Sequence, residues 1–339
     1  MTDTALAHDL TAQDFTSDQE IRWCPGCGDY AIVKGVRKAL AEIGTPPEKV
    51  VFVSGIGCAA RFPYYLSTYG FHTIHGRAPA FATGLKLTNP ELDIWVVGGD
   101  GDMLSIGGNH TYHAMRRNID VNILLFNNEI YGLTKGQYSP TSEEGTRSPS
   151  TPYGSVDHPV DPVSFALGVG GRFVARAYDI GQKILPEVLK RAHANKGASF
   201  VEILQNCHVY NDATFADVRD KGSDDNQLFC EHGKPLVFGK NMDKGIVLNK
   251  DTLMLEVAKL NEGGVTEKDI LVHDERNRTL AGMLASLRPP NGPMAFGVIY
   301  EDPTESYDSA VAEQEKSAIA SAQKPDLNGL LRRGHTWKV

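Results

Sequence analysis

No run of eighteen apolar residues occurs in this sequence, so no stretch reads as a membrane span. Basic residues are outnumbered: 34 Lys and Arg stand against 42 Asp and Glu, a net charge of −8. That balance argues against nucleic acid as the main partner, because phosphate binding needs a basic surface. Cysteines are few and odd in number, five in 339 residues, and the N-terminus has no apolar core of a secretory leader. A disulfide framework is therefore not expected, metal or redox duty is, and the cytoplasm is the expected compartment. What is present is a 41% hydrophobic, 22% charged composition, that of a soluble chain able to bury a substantial core.

Residues 1–20 read as a mobile arm with little hydrophobic content. After Cys24-Pro25-Gly26-Cys27-Gly28, Ile32, Val33, Val36, Leu40 and Ile43 recur at helical spacing until Gly44. Apolar runs at 50–54, 94–98, 121–126 and 200–204 predict buried strands, with helices between them at 78–88, 104–117, 162–169 and 181–196. Near-continuous apolar strands alternating with helices predict a doubly wound, mostly parallel α/β sheet covered on both faces. The Ser-, Thr- and Pro-rich stretch 135–162 is a long loop of the kind that carries function. Beyond Cys207 the pattern weakens. The expected division is an arm (1–20), an α/β domain (21–207) and an irregular C-terminal extension (208–339) packing on the core and on a partner.

The strand at 94–98 runs into Gly99-Asp100-Gly101-Asp102 and then a helix, and the next strand ends in Asn127-Asn128. Ligands of doubly wound sheets sit at the carboxyl ends of strands. Two such ends offer a carboxylate, Asp100, and an amide oxygen, Asn128, hard ligands suited to Mg²⁺ shared with a diphosphate. The glycines permit close backbone approach, and the following helix points its positive end at the anion. The plainer reading is a capped turn followed by an ordinary loop. The pattern resembles the thiamine-diphosphate motif, in which the metal is bound by residues matching Asp100, Asn128 and the carbonyl of Ile130.

Cys24 and Cys27 form a C-x-x-C, which suits a redox dithiol, half a zinc site or half a cluster site. Cys58 and Cys207 follow strands, at the same sheet edge as Asp100 and Asn128. Four cysteines beside a cofactor site fit a [4Fe–4S] cluster, with structural zinc as the alternative. Cys230 reads as a small core residue.

Taken with Phe71-His72-Thr73-Ile74-His75-Gly76-Arg77-Ala78, Asn127–Gln137 and Glu202–Cys207, these motifs make the sequence resemble the β subunit of the 2-oxoacid:ferredoxin oxidoreductases over most of its length. The resemblance implies CoA-dependent oxidative decarboxylation of a 2-oxoacid, with electrons leaving through thiamine diphosphate and a [4Fe–4S] cluster to ferredoxin. It implies that Cys24, Cys27, Cys58 and Cys207 hold the cluster. Cofactor contacts would come from Ile56, Gly57, Cys58 and Ala59, from His75, from Gly101 and Asp102, and from Gly132 and Leu133, with Asp212 approaching too. Leu133 would prop the cofactor in its bent shape, and by analogy Lys135 would bind a substrate carboxylate. The activating glutamate would sit on an α subunit, in an αβ or (αβ)₂ assembly. Residues 136–142 and 152–155 look most like enzymes acting on 2-oxoglutarate, which yield succinyl-CoA; pyruvate or a broad substrate range is the alternative. Two further readings are a non-oxidative thiamine enzyme subunit carrying zinc and a cofactor-free redox-regulatory dithiol.

Overall fold

The computed structural model describes residues 9–322, 326–335 and 337. Of the N-terminal arm, the first eight residues fall outside this set. The rest is anchored rather than loose, with Phe15 completely buried and Thr16 bridged to Leu66.

In α1 (Asp29–Ile43) the inward face is Ile32, Val33, Val36 and Leu40, and Gly44 closes the helix in left-handed geometry at φ 80°. There follow β1 (Val50–Ser54), β2 (Tyr69–His72), α2 (Ala78–Thr88) and β3 (Asp93–Gly99). Where periodicity predicts one helix over 104–117, a π-helical turn at Gly101–Ile106 precedes α3 (Gly108–Arg116). The wider turn follows from the Gly107 N–H donating five residues back to the Asp102 carbonyl, at 3.1 Å. Next come β4 (Asn122–Asn127), α4 (Pro162–Gly168), β5 (Phe173–Tyr178), α5 (Ile184–Ala194) and β6 (Ser199–Leu204).

Beyond Cys207, where the sequence pattern weakens, the chain adds α6 (Ala216–Arg219), β7 (Gln227–Cys230), β8 (Val237–Phe238), β9 (Lys244–Leu248) and β10 (Leu255–Lys259). It ends in α7 (Arg278–Ala285), β11 (Met294–Glu301), α8 (Tyr307–Ser321) and α9 (Leu327–Leu331). Two of these strands join the main sheet.

The main sheet has eight strands in the order β2-β1-β3-β4-β6-β5-β11-β7, and β8 to β10 form a separate antiparallel sheet. From β2 to β5 the neighbours are parallel, whereas β11 runs antiparallel to β5 and carries β7 beside it. The strands feed two cores by alternation. Val51, Val53, Val96 and Ile123 face one layer; Phe52, Trp95, Val97 and Leu124 face the other. Each such fully buried side chain contributes about 1.5–3 kcal/mol. Helices on both sides leave one edge open, where the carboxyl ends of β1, β3, β4 and β6 lie side by side. Among the described residues no helix is long and apolar enough to cross a membrane.

Candidate functional site at the sheet edge

Four strand ends build one site. β3 delivers Asp100, which is buried and receives hydroxyl hydrogen bonds from Ser139 (2.5 Å) and Thr141 (2.6 Å) on the long loop. Burial pushes its carboxyl up to about 6 despite those donors. Among the described residues no Lys or Arg pairs with it, so its charge calls for a cation from outside the chain.

β4 ends in the turn that carries the other two expected ligands. Glu129 takes a left-handed φ of 55°, reversing the chain so that Ile130 N–H donates to Asn128 Oδ1 at 3.2 Å. The Ile130 carbonyl takes part in no hydrogen bond among the described residues. A carboxylate, an amide oxygen and an unclaimed carbonyl at neighbouring strand ends are a donor set that fits Mg²⁺.

Asp102 ties the neighbouring loops together. Its Oδ1 accepts from the N–H groups of Ile56 (3.1 Å) and Gly76 (2.7 Å) and from His75 Nδ1. This bond fixes the ring and leaves His75 Nε2 without a hydrogen bond among the described residues. Gly55 has to be glycine, since a Cβ there would lie 2.0 Å from Asp102 Oδ2.

The expected cofactor contacts come together in one cleft. Ile56, Gly57, Cys58 and Ala59 form one wall, with His75, Gly101 and Asp102 beside them. Gly132 and Leu133 line it too, with Asn128 and Ile130. Leu133 is 53% exposed, so it does not serve to pack its own loop. Two expected residues lie elsewhere. Lys135 is exposed at a left-handed φ of 73° and does not border the cleft. Asp212 sits on the loop after Cys207, hydrogen-bonded by Asn206 at 2.8 Å, and does not border it either. A cavity of about 770 Å³ between α5 and β11, lined by Tyr178, Phe229 and Phe296, holds none of these residues.

The thiols gather at the same edge. Cys27 N–H donates to the Cys24 carbonyl at 3.1 Å in the Pro-Gly turn, and Trp23 Nε1 donates to the Cys58 carbonyl at 2.8 Å, joining the two loops. A Cβ on Gly132 would stand 3.5 Å from Cys207 Sγ and 3.6 Å from Cys58 Sγ. Gly132 therefore belongs both to the cleft and to the cysteine nest. Burial pushes the Cys58 thiol up to about 12 and raises Cys27 and Cys207 as well. Such thiols stay protonated at neutral pH until a cation offsets their charge, the opposite of an activated redox dithiol. No three of these or other His, Cys, Asp or Glu side chains stand close enough to share one metal ion among the described residues. Cys230 is buried in the core on β7.

Sequence reasoning missed the supports under these ligands. Thr141 Oγ1 also lies 2.9 Å from Asn127 Oδ1, and Asn127 Nδ2 donates to Glu202 Oε1 at 2.8 Å. Glu202 in turn meets the buried Arg176 at 2.6 Å. The abundance of hydroxyls in the 135–162 loop was the available signal for Ser139 and Thr141. Asn127 stands in the Asn127-Asn128 pair of the motif, but nothing marks its role as a support, and no signal marks Arg176.

Compared with known proteins, residues 55–203 match the family model of the thiamine pyrophosphate enzyme C-terminal TPP binding domain. The chain is 51% identical over 332 residues to the KorB subunit of 2-oxoglutarate oxidoreductase from Mycobacterium tuberculosis, covering 96% of this chain and 88% of that one. It is 48% identical over 190 residues to the β subunit of 2-oxoacid:ferredoxin oxidoreductase 1 from Aeropyrum pernix, covering 56% of this chain and 60% of that one. A solved structure of 2-oxoglutarate:ferredoxin oxidoreductase from Magnetococcus marinus, with 2-oxoglutarate, coenzyme A and succinyl-CoA bound, matches with a TM-score of 0.78. The identity is 31%, over 98% of both chains.

Proposed function

The chain belongs to the β subunits of the 2-oxoacid:ferredoxin oxidoreductases, and from that premise we propose that, joined to an α subunit, it converts 2-oxoglutarate and coenzyme A to succinyl-CoA and CO₂. The reaction releases two electrons and one proton, and the electrons pass to ferredoxin. The observation that carries this reading is Gly132, which lines the cofactor cleft while facing the thiols of Cys58 and Cys207. Two cofactors bound there would be separated by little more than one residue.

Asp100, Asn128 and the Ile130 carbonyl would hold Mg²⁺ on the diphosphate of thiamine diphosphate, and Cys24, Cys27, Cys58 and Cys207 would hold a [4Fe–4S] cluster. Thiamine diphosphate, when bound, supplies the electron sink for loss of CO₂. The chain's own residues do the rest. Gly57 and Gly101 admit the cofactor closely, and His75, oriented by Asp102, offers Nε2 as a hydrogen-bonding atom. Leu133 presents an apolar surface against which the cofactor can bend. Lys135, on the exposed loop, would meet the substrate carboxylate once the α subunit closes over it, and Asp212 would order the loop around Cys207. The α subunit supplies the activating glutamate, the assembly is αβ or (αβ)₂, and the compartment is the cytoplasm.

The cluster reading draws on the thiols of Cys58 and Cys207 standing around Gly132 beside the cofactor cleft, with structural zinc as the alternative. The test is anaerobic purification with the α subunit, then iron, sulfide and zinc analysis and a visible spectrum during addition of 2-oxoglutarate and CoA. Four irons per chain and bleaching on addition support the proposal. Zinc, or iron that responds to no 2-oxoacid, sinks it, and bleaching by pyruvate alone would replace the substrate.

A further inference from the structure

Gln205 follows β6 and is 1% exposed. Its backbone N–H donates to the Asn127 carbonyl at 2.8 Å, extending the pairing of β6 with β4 into the site. A carboxamide has one acceptor oxygen and two N–H donors, and here all are used. Oε1 accepts from Asn128 Nδ2 at 2.7 Å, while Nε2 donates to the Asn206 carbonyl at 2.7 Å and to Cys27 Sγ at 3.3 Å.

Neither amide can turn over without loss. Flipping Gln205 would face its oxygen toward the Asn206 carbonyl, and flipping Asn128 would press its NH₂ against the Ile130 N–H. Asn128 is thus held with Oδ1, its metal-binding atom, on the side of the Ile130 turn. The approach is possible because residue 28 is glycine: a Cβ there would lie 3.0 Å from Gln205 Cγ and 2.2 Å from Asp179 Oδ2.

We infer that Gln205 is a positioning residue shared by the two cofactor sites, its amide oxygen fixing Asn128 toward Mg²⁺ and its N–H donating to the cysteine sulfur on the cluster side. The inference rests on the reading of the four cysteines as cluster ligands. Reduction of a cluster adds negative charge to its sulfurs, and an N–H dipole aimed at one of them stabilises the reduced form, raising the potential. Outer hydrogen bonds of this kind also keep a metal ligand in its binding orientation. One residue therefore sets a property on each side.

The test uses the anaerobic complex with its α subunit, carrying Gln205→Leu or, as a flexible near-isostere that guards against misfolding, Gln205→Met. Two quantities are read: the cluster midpoint potential by EPR-monitored titration, and the Mg²⁺ concentration giving half-maximal thiamine diphosphate binding. With iron content unchanged, both variants should reduce about tenfold less favourably, a shift of about 59 mV to more negative potential for one electron. The Mg²⁺ requirement should rise about tenfold. An unmoved potential in iron-replete variants overturns the inference and leaves the cluster reading standing, as does a moved potential with an unchanged Mg²⁺ requirement. Zinc in the unaltered complex overturns both.

Discussion

Arg176 Nε donates to Glu202 Oε2 at 2.6 Å, and neither side chain reaches solvent. The same guanidinium reaches Asp161, which also receives Arg288, while the other oxygen of Glu202 holds Asn127. Ion pairs this deep are weak evidence for stability in themselves, but removing one partner strands a charge. Arg176→Met should destabilise the chain by about 3–5 kcal/mol, measured by urea denaturation. Adding Glu202→Gln, which removes the stranded charge and keeps an oxygen for Asn127, should recover part of the loss. A single variant as stable as the unaltered chain would show that the pair is not needed.

Asp100→Ala removes the carboxylate proposed to bind Mg²⁺ without touching the cysteines. Mg²⁺-dependent thiamine diphosphate binding should fall at least about a hundredfold, in line with loss of a charged ligand, while iron content stays the same. Calorimetric titration of the complex gives the first quantity and metal analysis the second. Tight Mg²⁺-dependent binding in this variant would mean that the metal sits elsewhere.

Cysteines at the sheet edge and in the core should behave differently. Cys207→Ser should lose the cluster, because its thiol stands with Cys58 around Gly132. Cys230→Ser, buried on β7 away from that nest, should keep full iron and show only a modest loss of stability. Iron analysis after anaerobic purification decides, and reversed results would reassign the ligands.

His273 is buried with Nε2 2.9 Å from the Val298 carbonyl oxygen, and burial lowers its pKa below the ordinary histidine value. The unfolded chain accepts a proton there below pH about 6.5 that the folded chain resists. The stability this contributes is present above that pH and is lost as pH falls toward the folded value. His273→Gln should therefore flatten the fall in Tm between about pH 7 and pH 5. An unchanged slope would place the acid sensitivity elsewhere.

The strands that were readable in the sequence are buried on both faces, although β5, nearly as buried, was not read. β1, β3, β4 and β6 are continuous apolar runs because neither side meets water, and their pattern alone implies a parallel sheet. β2 escaped notice because all four of its residues are exposed at the sheet edge. β11 and β7 extend the sheet beyond a point where the sequence pattern weakens, since β11 is placed by pairing with β5 and β7 by pairing with β11 rather than by local periodicity.

The same division holds at the site. By itself the sequence determined which chemistry is available: a carboxylate, an amide and two thiols at strand ends, two more thiols in the turn before α1, and glycines that allow close approach. Those features are local, each a few residues beside a strand or helix whose burial marks it. Only the tertiary structure decided how they are held. Thr141 reaches Asp100 from 41 positions away, and Gln205 reaches Asn128 across 77 and Cys27 across 178. Gln205 and Asn128 meet because the sheet places β6 beside β4, although α4, β5 and α5 separate them along the chain, and hydrogen bonds between distant residues leave no period in a sequence.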